Sequence, residues 1–310
     1  MGLSMEANRT VPRRVAFDVA EFDDRPYEPD DLDVPRETAP RLPRPIETRV
    51  FVIANQKGGV GKTTTAVNIA VGLAQGGLRT LVLDLDPQGN ASTALGIDHS
   101  EGTPGTYEVL NGQAIADVVQ RSPESEHLLV VPATIDLAGA EITLVSEFAR
   151  ESKLLHALNV YLRDNAVDYV FIDCPPSLGL LTVNALVAAR EIMIPIQCEY
   201  YALEGVSQLL RTIDLVRRSM NQQLTLTTVV LTMFDGRTRL ASEVASQVRE
   251  HFPRETLDTV IPRSVRVSEA PSYGQSVITY HAASAGAEAY LAAAEEVAAR
   301  GAARPEGGQR

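Results

Sequence analysis

Eight residues, Lys57-Gly58-Gly59-Val60-Gly61-Lys62-Thr63-Thr64, constrain this chain more than any other stretch. A short β-like run, Val50-Phe51-Val52-Ile53-Ala54, precedes them, and apolar residues follow at helical spacing (Ala66, Ile69, Ala70, Leu73). Strand, glycine-rich loop and helix in succession is the context a phosphate-binding loop requires. Glycines let backbone N–H groups converge on phosphate oxygens, and the helix N-terminus adds its partial positive charge. In such a loop Lys62 reaches the β- and γ-phosphates of a nucleotide and the Thr63 hydroxyl ligates Mg²⁺. The remaining residues, Gly58, Gly59, Val60, Gly61 and Thr64, form the cradle. The spacing departs from G-x-x-x-x-G-K-[ST] in two ways: Gln56 takes the first glycine position, and a second lysine, Lys57, enters the loop.

From residue 48 onward, short apolar runs alternate with amphipathic stretches. Strands are expected at 50–54, 80–85, 128–131, 168–172, 192–196, 227–233 and 258–261. Helices are expected at 61–75, 136–162 with a break, 203–219, 239–252 and 283–300. Near-continuous apolar strands separated by helices predict an α/β fold, with a mainly parallel sheet and helices on both faces. Residues 1–47 differ: seven of the 18 prolines fall there, and between Asp18 and Asp33 eight acidic residues face a single basic one, Arg25. Such a segment buries too little apolar surface to offset its ordering entropy, which predicts a disordered extension. It reads either as a solvated spacer or as a recognition peptide anchored by Val15-Ala16-Phe17 and Tyr27. The domain carrying the phosphate-binding loop is expected over 48–302, with a flexible tail at 303–310.

Two cysteines, Cys174 and Cys198, stand apart without a CxxC pairing, which predicts a reducing cytoplasm and no disulfide framework. The five histidines lack metal-ligand spacing, so no zinc site is expected. The N-terminus has no apolar secretory core, and no run of 18 apolar residues occurs, so neither secretion nor membrane spanning is expected. The net charge of −12 opposes nonspecific nucleic-acid affinity unless basic residues cluster locally.

Two further motifs carry chemistry. Asp84-Leu85-Asp86-Pro87-Gln88-Gly89-Asn90 closes the second expected strand. Ligands in open α/β sheets bind at carboxyl ends of strands, so one carboxylate can position an attacking water while the other helps hold Mg²⁺ through waters. Taken alone, the same residues also suit a polar turn. Tyr169-Val170-Phe171-Ile172-Asp173 is an apolar strand ending in Asp, which a Walker B carboxylate beside Mg²⁺ needs.

Together these elements resemble the ParA/Soj family of chromosome- and plasmid-partitioning ATPases, P-loop NTPases of the deviant-Walker type that also include MinD and nitrogenase iron protein. The resemblance rests on 57–64, 84–90, 173–184, 197–205, 231–237 and 261–274, and spans roughly 48–300. It implies that Lys57 is the signature lysine reaching the partner's nucleotide across an ATP-sandwich homodimer, and that Asp86 is needed for hydrolysis. Thr63, Asp84 and Asp173 are the expected metal-side groups, and Pro262 and Ser264 the expected border of the adenine. Arg237 and Arg266 match arginines that hold nonspecific double-stranded DNA, with Arg263 as a helper; without the resemblance they read as surface charge. ATP and Mg²⁺ are the implied cofactors and a ParB-type protein the implied partner, on the nucleoid rather than on a membrane. Hydrolysis is expected to be slow, since no arginine finger is evident.

A MinD-like membrane ATPase needs a basic amphipathic C-terminal helix, whereas 283–300 offers alanines with Glu288, Glu295 and Glu296. A nitrogenase-like reductase needs cluster-ligating cysteines that the chain lacks. A protein cargo in place of a centromere complex stays open, and measurable ATP turnover separates an enzyme from a non-catalytic binding module.

Overall fold

Val50 and Val52 of strand β1 (Arg49–Ile53) face one side of a sheet and Phe51 and Ile53 the other, and all four are buried. A strand covered on both faces has no reason to alternate apolar with polar residues, which is why these segments read as apolar runs. The computed structural model describes residues 42–200 and 202–302. Residues 1–41 of the proline-rich segment, including Val15, Phe17 and Tyr27, lie outside the described residues, as do Tyr201 and the tail from 303. Residues 42–47, expected to be disordered, begin instead with Leu42 packed on the core and its N–H donating to the Gly76 carbonyl at 3.0 Å.

The other strands are β2 (Thr80–Asp84), β3 (Gln120–Arg121), β4 (Leu128–Val131), β5 (Tyr169–Asp173), β6 (Glu191–Gln197), β7 (Thr225–Phe234) and β8 (Thr256–Pro262). They form one sheet in the order β3-β4-β2-β5-β1-β6-β7-β8, parallel throughout except for the β3–β4 pair. This is the mainly parallel sheet that the strand pattern predicts. The chain builds β2, β4 and β5 on one side of β1 and β6, β7 and β8 on the other. The crevice at the carboxyl end of β1 is therefore the switch point where such sheets bind ligands.

Helices cover both faces. Lys153–Asp164, Leu180–Ala188, Ala202–Ser219 and Arg239–His251 pack on the Val50/Val52 side. Helix α1 (Lys62–Gln75) and the alanine-rich helix Ala285–Ala302 pack on the Phe51/Ile53 side. Small residues bring these last two close: a Cβ added at Gly72 would sit 2.8 Å from that of Ala294. The alanines are thus a packing face, buried at Ala287, Ala293, Ala294 and Ala298.

The structure adds elements that the periodicity does not announce. Helix Leu180–Ala188 has seven of nine residues buried, polar Thr182 and Asn184 among them, so it carries no 3.6-residue rhythm. Strand β3 has only two residues. The expected broken helix at 136–162 resolves into Leu137–Thr143, two short 3₁₀ turns and Lys153–Asp164, with Ala149 in the left-handed region at φ 51°.

Candidate nucleotide-binding site

Gly59 and Gly61 adopt φ of 72° and 88°, which L side chains avoid. A Cβ built at Gly58 or Gly59 would meet nothing within 4 Å, so the loop encloses open space rather than packed side chains. Helix α1 begins at Lys62 with no side-chain cap and no acidic residue in its first turn. Its leading N–H donors and positive end are left for an anion, as phosphate binding demands. The Val60 carbonyl accepts from Thr232 Oγ1 at 2.8 Å, which ties the loop to β7. The Lys57 N–H donates to Asn55 Oδ1 at 3.0 Å, and Asn55 Nδ2 in turn donates to the Pro195 carbonyl at 2.8 Å.

Parallel register brings two aspartates side by side beneath this loop. Asp84 ends β2, Asp173 ends β5, and the two are paired across the strands with Ile53 of β1 next in line. Both are fully buried, yet their partners differ sharply. Asp84 accepts the Asp86 N–H at 3.1 Å, the Ser92 N–H at 2.9 Å and the Ser92 hydroxyl at 2.7 Å. Asp84, expected on the metal side, thus fastens the 86–92 loop through both of its carboxylate oxygens. Among the described residues, Asp173 has no hydrogen-bond partner on either carboxylate oxygen.

Burial pushes the pKa of Asp173 up, the charge of Asp84 adds to the rise, and the Thr63 hydroxyl pulls it back. Burial likewise raises Asp84, against the Ser92 hydrogen bonds. Lys62 is the local cation: burial lowers its pKa, while Asp173 and then Asp86 oppose the drop. A buried carboxylate without a partner costs several kcal/mol. That unsatisfied group beside the Thr63 hydroxyl is a hard oxygen donor set of the kind Mg²⁺ takes, and the residues fit the ion.

Gly58, Gly59, Gly61, Lys62, Thr63, Thr64 and Asp86 line one cavity of about 490 Å³. Its apolar wall comes from Val67, Met233, Val267, Ala270, Pro271 and Val277. Pro262 and Ser264, expected beside the adenine, are not among the lining residues. Strand β8 ends at Pro262, and helix Val265–Glu269 with the turn Ala270–Tyr273 carries the chain on, so the wall is built three to nine residues later. Lys57 also stays off this cavity. A groove of about 660 Å³ between 109–116 and 148–165 is larger but holds none of these groups.

Some lining residues escape a reading by motif. Asn68 donates to the Thr64 carbonyl at 2.7 Å and accepts the Val277 N–H at 2.9 Å, fastening the wall to α1. A polar residue inside the apolar stripe of α1 is the signal that marks it. Met233 has φ 51°, rare for a non-glycine residue, and nothing in the sequence foretells it.

The three arginines lie outside the cavity, and each already holds a carboxylate. Arg237 binds Asp235 through Nε at 2.9 Å and Nη2 at 2.8 Å, Arg263 binds Glu199 at 2.6 Å, and Arg266 binds Glu269 at 2.8 Å.

A family model described as an AAA domain matches residues 48–226. The sporulation initiation inhibitor protein Soj of Bacillus subtilis is 50% identical over 82% of this chain and 99% of its own length. The chromosome partitioning protein ParA of Myxococcus xanthus is 49% identical over 81% of this chain and 88% of its own length. Among solved structures, that of cobyrinic acid a,c-diamide synthase from Mycobacterium smegmatis with bound ADP and magnesium superposes with a TM-score of 0.69. It is 38% identical over 81% of this chain and 94% of that one. Half of all aligned positions shared over nearly the full length of Soj, on a sheet of this topology around this loop, places the chain in the ParA/Soj family of chromosome-partitioning ATPases.

Proposed function

We propose that the protein is an ATP-dependent switch that dimerises around ATP, coats DNA without regard to sequence, and lets go when the nucleotide is hydrolysed. A ParB-type partner bound near a centromere stimulates the slow hydrolysis, and the cycle segregates chromosomes in the cytoplasm. Residues 48–302 form the ATPase domain, with 1–47 an extension and 303–310 a tail. The observation that carries this reading is the meeting of Lys62, Asp86 and an unsatisfied Asp173 at an uncapped helix N-terminus, in a chain half identical to Soj.

The residues divide the work. Backbone donors of 58–64 and the Lys62 ammonium hold the β- and γ-phosphates. Thr63 and Asp173 hold Mg²⁺, which when bound offsets phosphate charge. Asp84 acts on the loop rather than on the metal, keeping Asp86 at the cavity wall. Asp86 orients the water that attacks the γ-phosphorus. The wall of Val267, Ala270 and Pro271 takes the base. Lys57, off its own copy's cavity, reaches the partner's nucleotide.

Lys57→Ala is therefore expected to bind ATP with near wild-type affinity yet remain monomeric. Light scattering with a slowly hydrolysed ATP analogue checks this, and a nucleotide-dependent dimer in that variant contradicts the role.

A net-acidic chain binds DNA if dimerisation gathers arginines on one face, since doubling the phosphate-binding groups multiplies affinity. Arg237→Ala combined with Arg266→Ala should weaken binding about equally for unrelated duplexes. The log–log salt dependence should flatten by up to about one unit for each phosphate left without its arginine. Gel shifts at several salt concentrations test it; wild-type affinity and slope would leave the arginines as surface charge.

Against a MinD-like membrane role, helix Ala285–Ala302 spends its apolar face on α1. Measured release of the protein from DNA-coated but not from anionic-lipid surfaces on hydrolysis would separate the two readings.

A further inference from the structure

The arginine strip is neutral as it stands. Arg237, Arg263 and Arg266 keep 88%, 56% and 51% of their side-chain surface, but each is matched by one carboxylate: Asp235, Glu199 and Glu269. Two pairs, Arg237–Asp235 and Arg263–Glu199, adjoin at the carboxyl ends of β6, β7 and β8, and Arg266–Glu269 follows in helix Val265–Glu269 just past β8. The Arg263 N–H donates to the Phe234 carbonyl at 3.0 Å, beside Asp235, and the Cys198 N–H donates to the Thr232 carbonyl at 3.1 Å, which sets Glu199 alongside. Arg237 and then Arg263 both hold the Asp235 carboxyl well below the usual range.

Exposed pairs of this kind contribute little to folding stability. Their effect on an incoming anion is larger. Asp235 occupies Nε and Nη2 of Arg237, one side of the guanidinium fork that binds phosphate in bidentate fashion. A phosphate must displace that carboxylate or share the arginine and meet its repulsion. In either case the arginine contributes less than one full charge to counterion release.

We propose that Glu199, Asp235 and Glu269 are an electrostatic brake on the DNA face, holding a single copy below the affinity needed to stay on DNA. Retention then requires two strips at once, so binding follows the ATP-driven dimer. This rests on the DNA-binding reading of the arginines.

The test neutralises the brake in the full chain with Glu199→Gln, Asp235→Asn and Glu269→Gln together. A charge-matched control changes three exposed carboxylates elsewhere, Asp117→Asn, Glu250→Gln and Glu295→Gln. The probe is a duplex of arbitrary sequence, in gel shifts with ADP and with a slowly hydrolysed ATP analogue. The brake variant should bind about tenfold more tightly in ADP at moderate salt, with a steeper salt dependence, and the control should stay within about twofold of wild type.

An equal gain in the control, or a gain that survives Arg237→Ala, Arg263→Ala and Arg266→Ala in the same chain, would reduce the effect to bulk charge and overturn the brake. Unchanged affinity in the brake variant, while the arginine variants lose DNA, also overturns it and leaves the DNA reading standing. Arginine variants that keep full DNA affinity sink the DNA reading, and the brake falls with it.

Discussion

Lys62→Ala is expected to weaken ATP binding by at least about a hundredfold, through the loss of a charge-assisted hydrogen bond to phosphate plus the repulsion it had screened. Lys62 is buried, only 8% exposed, and is the cation nearest Asp173 and Asp86. Without it, an incoming triphosphate meets two carboxylates and no lysine from its own loop. Titration of a fluorescent ATP analogue reads the effect, and near-normal affinity would refute the phosphate-loop assignment. The same substitution should push the Asp173 carboxyl, already raised by burial, further up, and should lower the melting temperature of the nucleotide-free protein most at alkaline pH, where that carboxyl must ionise unpaired. Adding Asp173→Asn should restore that melting temperature without restoring ATP binding, which separates a folding defect from the removal of a phosphate ligand.

The phosphate loop is legible because its chemistry is local. Three glycines, two lysines and the flanking periodicities all lie within 50–73, and the structure keeps that order. The central strands are legible for a related reason: burial on both faces leaves an apolar run, which the edge strand β8 with its exposed Asp258 lacks. What the sequence hides depends on register and on distant pairing. Asp84 and Asp173 both end apolar strands, and only the cross-strand alignment with the Ser92 hydrogen bonds shows that one is satisfied and the other is not. The base-side wall is hidden because 265–280 folds into turns of four or five residues, too short to show a period. Pro262 and Ser264 attract notice by motif, while Val267 and Pro271 do the lining. Of the arginine pairs, Asp235 with Arg237 and Arg266 with Glu269 are near neighbours in sequence. Arg263 with Glu199 spans 64 residues and needs the fold.

Asp86→Ala should lower ATP turnover by about a hundredfold to a thousandfold while leaving ATP binding, dimerisation and DNA binding intact, so the protein stays locked on DNA. Asp86 lines the cavity with 8% of its surface exposed. Its Oδ1 accepts the Gln88 N–H at 3.0 Å, which fixes the carboxylate's orientation and leaves Oδ2 without a hydrogen bond among the described residues. A positioned, under-satisfied oxygen beside Lys62 is what aligning a water requires, and none of the loop's phosphate donors comes from Asp86. Phosphate release in the presence of DNA and the stimulating partner measures the loss; unaltered turnover would refute the assignment. Asp84→Asn supplies the contrast. Asp84 holds three donors of the 86–92 loop from a fully buried position, so its replacement should lower the melting temperature as well as turnover. Asp86→Ala should leave the melting temperature within a few degrees of wild type. If both variants melt alike and lose turnover alike, Asp86 acts through the loop's fold rather than on the water, and the division of labour between the two aspartates fails.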